Sequence, residues 1–212
     1  MNKNEKFVIT INRELGSGGR TIGRKLAERL GVEFFDKALI RAMEEKYNLT
    51  ADEIEKLKGR KTHWWEDFTR VKRPGELDIR HYESKFGLIP EKLTTENVFK
   101  AETEILEGIA DEESCVVAGR CGFFVFRNHP NHLSILIQAS MPFRVDRVVR
   151  KQEKTAAEAR KLIDKVDKMR ENYVAKFTGT SRYDTRNYNL VISADGKTED
   201  EIVDTIMKYI GD

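Results

Sequence analysis

The segment Arg13-Glu14-Leu15-Gly16-Ser17-Gly18-Gly19-Arg20-Thr21 has the residue types of a phosphate cradle. A short apolar run precedes it, and an amphipathic stretch follows. Glycines let successive backbone N–H groups turn toward one centre, and a helix N-terminus adds partial positive charge. Gly16, Ser17, Gly18, Gly19, Arg20 and Thr21 are the expected cradle, and the Thr21 hydroxyl stands where such loops place a Mg2+ ligand. The pattern G-x-x-x-x-G-K-[ST] is not met in full. Arg20 occupies the lysine position, Arg13 stands where the first glycine should be, and an alternative alignment puts Gly19 at the lysine position. A tight strand-to-helix turn without a ligand is the competing reading.

Other groups suited to phosphate chemistry follow. Asp36 and Arg41 come after a second apolar run. Gly119-Arg120-Cys121-Gly122 follows a third, and a guanidinium presents a planar fork of donors that matches phosphate. Arg144, Arg147 and Arg150 recur every third residue after a fourth. Asp164, Asp167 and Arg170 share one helical stretch, where Asp167 and Arg170 are close enough to pair. A solvated face is the competing reading for each of these arginines, weakened for Arg120 by its place at the carboxyl end of a strand. His129 and His132 flank Pro130 with no acid or cysteine cluster beside them, so they do not read as metal ligands.

The elements that must hold these groups are legible as alternation. Apolar, β-branched runs at Phe7–Ile11, Val32–Phe35, Ser114–Ala118, Leu133–Ala139 and Asn189–Ser193 read as buried strands. Amphipathic stretches between them read as helices. Gly31 stops the first, with Ile22, Leu26, Ala27 and Leu30 inward. Ser140 with Pro142, Thr155 with Glu158, and Thr198 with Glu201 mark later helix starts. Asp36 could cap a helix bearing Leu39, Ile40 and Met43, and Thr50 with Glu53 another. Val98, Ile105, Leu106 and Ile109 form one inward stripe, and Leu162, Val166, Met169 and Tyr173 a second. This order implies an α/β fold with a five-stranded parallel sheet covered on both faces, which binds ligands beyond the carboxyl ends of its strands.

The chain has 212 residues, which suits one domain, 1–212, with an insert. The insert is expected at 59–95, which carries Trp64, Trp65 and many basic residues. Lys+Arg number 38 and Asp+Glu 36, so the net charge is only +2. That balance argues against a general polyanion binder. Cys115 and Cys121 form neither a CxxC pair nor a disulfide framework, so a reduced, cytoplasmic setting is expected. No stretch reads as a membrane span or signal peptide.

The chain resembles the P-loop nucleoside monophosphate kinases, and among them the cytidylate kinase-like proteins. Gly16-Ser17-Gly18 and Thr21 match the kinase loop, and a GSGGR-type loop is a familiar variant of the kinase-like group. Gly119-Arg120 resembles the Gly-Arg-Asp segment, with Cys121 in place of the acid. Asp167 and Arg170 match the lid segment D-x-x-D-R-x-R, with Ile163 at the place of another lid arginine. The resemblance implies a P-loop NTPase-type sheet with a helical insert at 59–95 that binds the acceptor and a lid at 150–187. It implies ATP and Mg2+ as cofactors and phosphoryl transfer to a nucleoside monophosphate, CMP or dCMP first. Arg20, Arg120, Asp167 and Arg170 would then be catalytic. Residues 16–21 and Arg147 would hold ATP; Asp36, Arg41 and Arg120 would hold the acceptor; Thr21 and Asp36 would hold the metal. The altered lysine position, Cys121 and Ile163 keep a nucleotide-binding regulatory module without turnover as the alternative. A small-molecule nucleotide is the expected partner, not a membrane or nucleic acid.

Overall fold

The computed structural model describes residues 1–36 and 96–211, with the side chains of 97, 98 and 101 left aside. The helices expected around Leu39, Ile40 and Met43 and after Thr50, the residue Arg41, and the segment 59–95 with Trp64 and Trp65 lie outside the described residues. By its contacts the chain divides into two compact units, Met1–Asp36 with Ile109–Asp212, and Lys37–Gly108.

In the first unit, β1 (Val8–Arg13), β2 (Glu33–Asp36), β3 (Cys115–Ala118), β4 (His132–Gln138) and β5 (Leu190–Ser193) form one sheet. Its order is β2-β3-β1-β4-β5, and every pairing is parallel. The expected α/β sheet is therefore what the chain folds into. β1 sits in the middle, and its pairing with β4 continues as far as Arg13 opposite Ile137. Arg13 is therefore a strand residue, two places beyond the apolar run that announced the strand.

The helices are α1 (Gly19–Leu30), α2 (Glu96–Glu112), the short α3 (Gly122–Val125), α4 (Met141–Gln152), α5 (Ala156–Thr178) and α6 (Glu199–Tyr209). A 3-10 turn spans Thr185–Asn187. α1 and α6 cover one sheet face, where Ile22, Leu26, Ile202 and Ile206 pack on Ile9, Ile11 and Ile135. Burying side chains of this size contributes about 1.5–3 kcal/mol each. Local signals set the helix ends. Gly31 closes α1 in the left-handed region. Thr155 with Glu158 and Thr198 with Glu201 form complete capping boxes, and the Ser140 hydroxyl accepts the Phe143 N–H. Ile105, Leu106 and Ile109 of α2 are buried as their spacing implies. No described helix is long and apolar enough to cross a membrane.

The inward face of α5 differs from expectation. Ala159, Ile163, Asp167 and Val174 are its buried residues, while Leu162, Val166, Met169 and Tyr173 are only half-buried. Ala159 and Ile163 pack on Val148 of α4. One turn on, the buried Arg144 of α4 needs an anion, and Asp167 turns inward to meet it. The buried face of the helix therefore combines Ala159, Ile163 and Val174 with the Asp167 ion pair.

Candidate functional site

The loop after β1 is held by its own residues. Ser17, almost fully buried, donates from both N–H and Oγ to the Glu14 carbonyl, at 3.3 and 3.0 Å. The Glu14 carboxylate accepts the Ala139 N–H at 3.0 Å, which fixes the loop to the end of β4. Gly16 has φ +87°, and a Cβ there would stand 2.7 Å from the Arg144 carbonyl oxygen. A side chain at that point is excluded by both conformation and space. α1 then begins at Gly19, with no side chain hydrogen-bonded across its start and no acid in its first turn. Helix N-termini of this kind favour anions.

Asp167 is the hub behind the loop. Its Oδ1 accepts the Leu15 N–H at 3.0 Å and the Arg170 guanidinium at 3.4 Å, and lies 3.5 Å from Arg182. Its Oδ2 accepts from Arg144, whose other nitrogens reach the Leu15 carbonyl at 2.8 Å and Glu14 at 3.1 Å. Arg170 and Arg182 both donate to the Arg13 carbonyl. Burial, followed by the charge of Arg182, pushes the Arg170 pKa down to about 10.

At the end of β3, Gly119, Arg120 and Cys121 all have positive φ, +83°, +53° and +55°. Two non-glycine residues in this region cost roughly 1–2 kcal/mol each, the kind of local strain that clusters at ligand sites. The turn carries the Arg120 guanidinium over the Tyr173 ring of α5, 5.2 Å from its centroid and one turn along from Arg170. Gly119 faces the Arg13 guanidinium so closely that a Cβ there would overlap it. Burial pushes the Cys121 thiol up to about 12, against the pull of Arg120 and Arg182, so it is no nucleophile at neutral pH.

The other expected residues take distinct places. Arg20 Nε donates to Asp36 Oδ2 at 2.6 Å, joining α1 to the end of β2. Arg147 lies against Gly18 and pairs with Glu199 at 2.6 Å. Arg150 faces solvent and pairs with Asp146. The recurrence at 144, 147 and 150 thus resolves into one buried anchor, one cation beside the loop and one surface residue. Thr21 lies in the first turn of α1. Among the described residues no group of three acids, histidines or cysteines is clustered for a metal. Thr21 and Asp36 would therefore suit Mg2+ only in company with phosphate oxygens and water, which is how that ion is commonly held. Sequence reasoning missed Arg182, which is completely buried, and Arg13 as a site residue. Neither stands in a periodic pattern; an alignment misfit at Arg13 was its only signal.

Solved structures share this architecture. An uncharacterized protein from Eubacterium ventriosum matches with TM-score 0.66 at 21% identity, covering 96% of this chain and 98% of that one. Shikimate kinase from Bacteroides thetaiotaomicron matches at 0.51 and 15%, covering 96% and 98%. A gluconokinase from Sinorhizobium meliloti matches at 0.50 and 15%, covering 98% of each. At such identities the likeness concerns the fold, which is that of P-loop kinases. An S-adenosylmethionine-dependent nucleotide dehydratase from Lacinutrix mariniflava is 27% identical over 209 residues. Those residues are 96% of this chain but 36% of the relative, so the chain spans about a third of that protein's length. The model of the cytidylate kinase-like family matches residues 8–195, from β1 through the turn after β5. With the strand, glycine loop and helix at one end of that match and the Asp167 hub near the other, the chain belongs to the cytidylate kinase-like family.

Proposed function

We propose that this chain transfers the terminal phosphoryl group of ATP to a nucleoside monophosphate, with CMP or dCMP first by family likeness. One observation carries the reading. Guanidinium groups from separate segments, Arg13, Arg20, Arg120, Arg170 and Arg182, gather at the carboxyl ends of β1, β2 and β3, beside the start of α1. The carboxylates among them are fewer. Such a site lowers the barrier of phosphoryl transfer by positioning and by neutralising charge.

In this proposal the N–H groups of Gly16 and of Gly18 to Thr21 cradle the ATP phosphates, with Arg147 beside the loop, while the Ser17 N–H is held by the Glu14 carbonyl and shapes the turn. Arg120 and Arg170 lie along the transferred group and the acceptor phosphate. Asp167 orients the loop and the arginines around it. Arg20 and Asp36 border the acceptor side. Mg2+, held by Thr21, Asp36 and phosphate oxygens, would neutralise charge on the phosphates. An acceptor phosphate oxygen attacks the γ-phosphorus, the bond to the ADP oxygen breaks, and ADP leaves with the electron pair. No general base is required, because the acceptor is already an anion. The segment 150–187 carries Asp167, Arg170 and Arg182 and is the proposed water-excluding cover.

The second reading is a module that binds nucleotide without turnover. It is favoured by the Arg20–Asp36 pair, which occupies the cation standing at the lysine position. Incubation with ATP, Mg2+ and each nucleoside monophosphate, following ADP, separates the two. Turnover with one acceptor is expected. ATP binding without turnover on any acceptor would favour the module.

A further inference from the structure

We propose that Arg13, and not Arg20, is the cation that lies along the phosphate chain in place of the absent loop lysine. The inference rests on the phosphoryl-transfer reading and assigns one contact within it.

Arg13 is the last residue of β1. Strand alternation puts it on the same sheet face as Ile9 and Ile11, the face covered by α1. Two glycines shape a slot for its side chain. A Cβ on Gly19, the first residue of α1, would stand 2.5 Å from Arg13 Cβ, and one on Gly119 would overlap the guanidinium. The side chain therefore runs from under the phosphate loop to the end of β3.

Apart from Arg120, which lies over the Tyr173 ring, the other cations nearby are paired with acids. Arg20 is on Asp36, Arg144 on Asp167 and Glu14, and Arg147 on Glu199. Arg170 and Arg182 share Asp167 and the Arg13 carbonyl. Among the described residues, no carboxylate or carbonyl accepts from the Arg13 guanidinium. The strongest charges acting on it are those of Arg170, Arg182 and Arg20, opposed by Asp36. Burial and the charge of Arg170 together push its pKa down to about 9, still cationic at neutral pH. A half-buried cation among cations is costly unless an anion joins it. Phosphate oxygens on the adjoining loop supply that anion in the form a guanidinium fork accepts best.

The test is titration of ATP into wild type, R13M and R13K, with each unfolding midpoint recorded. R13M should bind ATP about 10- to 100-fold more weakly, the effect of losing a charged hydrogen-bond donor, and R13K should recover part. A second measurement uses the wild type as ligand binder. The Arg13 15Nε–1Hε resonance, assigned by its absence from R13K, should shift when ATP or inorganic tripolyphosphate is added. If R13M does not fold, that shift decides. A resonance unmoved at saturating ATP, or a folded R13M that binds ATP as wild type does, would overturn the inference and leave the kinase reading standing. A wild type that binds neither ATP nor tripolyphosphate would overturn both.

Discussion

The Asp167 carboxylate accepts the backbone N–H of Leu15, 152 residues away in sequence, at 3.0 Å. The phosphate loop is thus anchored from α5 and not only from the sheet. Removing one partner of a buried ion pair costs about 3–5 kcal/mol, because the charge left behind is uncompensated. Asp167→Ala should lose stability on that scale by urea unfolding, with the buried Arg182 deprived of its carboxylate and Arg144 left to Glu14 alone. Asp167→Asn, which can still accept the Leu15 N–H, should lose less. A variant of wild-type stability would show that the hub does not hold the loop.

Arg120 should act on the acceptor. Its guanidinium follows the end of β3 and lies over the Tyr173 ring of α5. Arg120→Ala is expected to raise the acceptor's KM by about 10- to 100-fold, the loss of a charged hydrogen bond, and to change the KM for ATP much less. Steady-state kinetics with each substrate varied in turn checks this. Equal effects on both constants would remove the assignment.

Gly119 should not tolerate a side chain. Its φ of +83° and the Arg13 guanidinium pressed against it act in the same direction. Gly119→Ala should cost more than the roughly 1 kcal/mol that left-handed backbone alone demands. Part of the excess should vanish in the double variant with Arg13→Ala, which clears the space. Denaturation of the four members of that cycle measures the coupling. Strict additivity would mean the two residues do not interact.

Acid should weaken the fold through His132. Burial, aided by the charge of His129, pushes its pKa down to about 4, and its Nε2 lies 2.7 Å from the Thr10 hydroxyl. The unfolded chain holds this proton near pH 6.5, so the unfolded state binds more protons between the two values. The contribution is therefore fully present above about 6.5 and is lost as pH falls toward 4. It amounts to roughly 3 kcal/mol. Unfolding free energies at pH 7.5 and 4.5 should differ less in His132→Gln than in wild type. An unchanged difference would exclude His132 as the cause.

The strands, their order along the chain and the helix starts were legible because their signals are local. Thr155 and Glu158 announce the start of α5 within four residues, and the short apolar runs bound each strand. The facing of α5 was not legible. Leu162, Val166, Met169 and Tyr173 make a better apolar stripe than the face that is buried, and nothing near Asp167 in sequence shows that Arg144 awaits it. Arg182 stayed hidden for the same reason. Its charge is held by a carboxylate on another element and by a carbonyl of β1, and such partners leave no periodic trace. The cradle was legible as a spacing, but the engagement of Arg20 by Asp36 depends on β2 ending beside α1.

The placement of β1 also governs when the sheet can form. Its two neighbours begin at Cys115 and His132, each paired with Val8. The central strand emerges before the other four and has no sheet partner until more than a hundred further residues follow it. At roughly 5–20 residues per second, that leaves its edges uncovered for about 5–20 s. Long-range pairing of this kind slows folding. The segment Phe7–Ile11, later buried in the middle of the sheet, is thus the natural early client of a chaperone during translation.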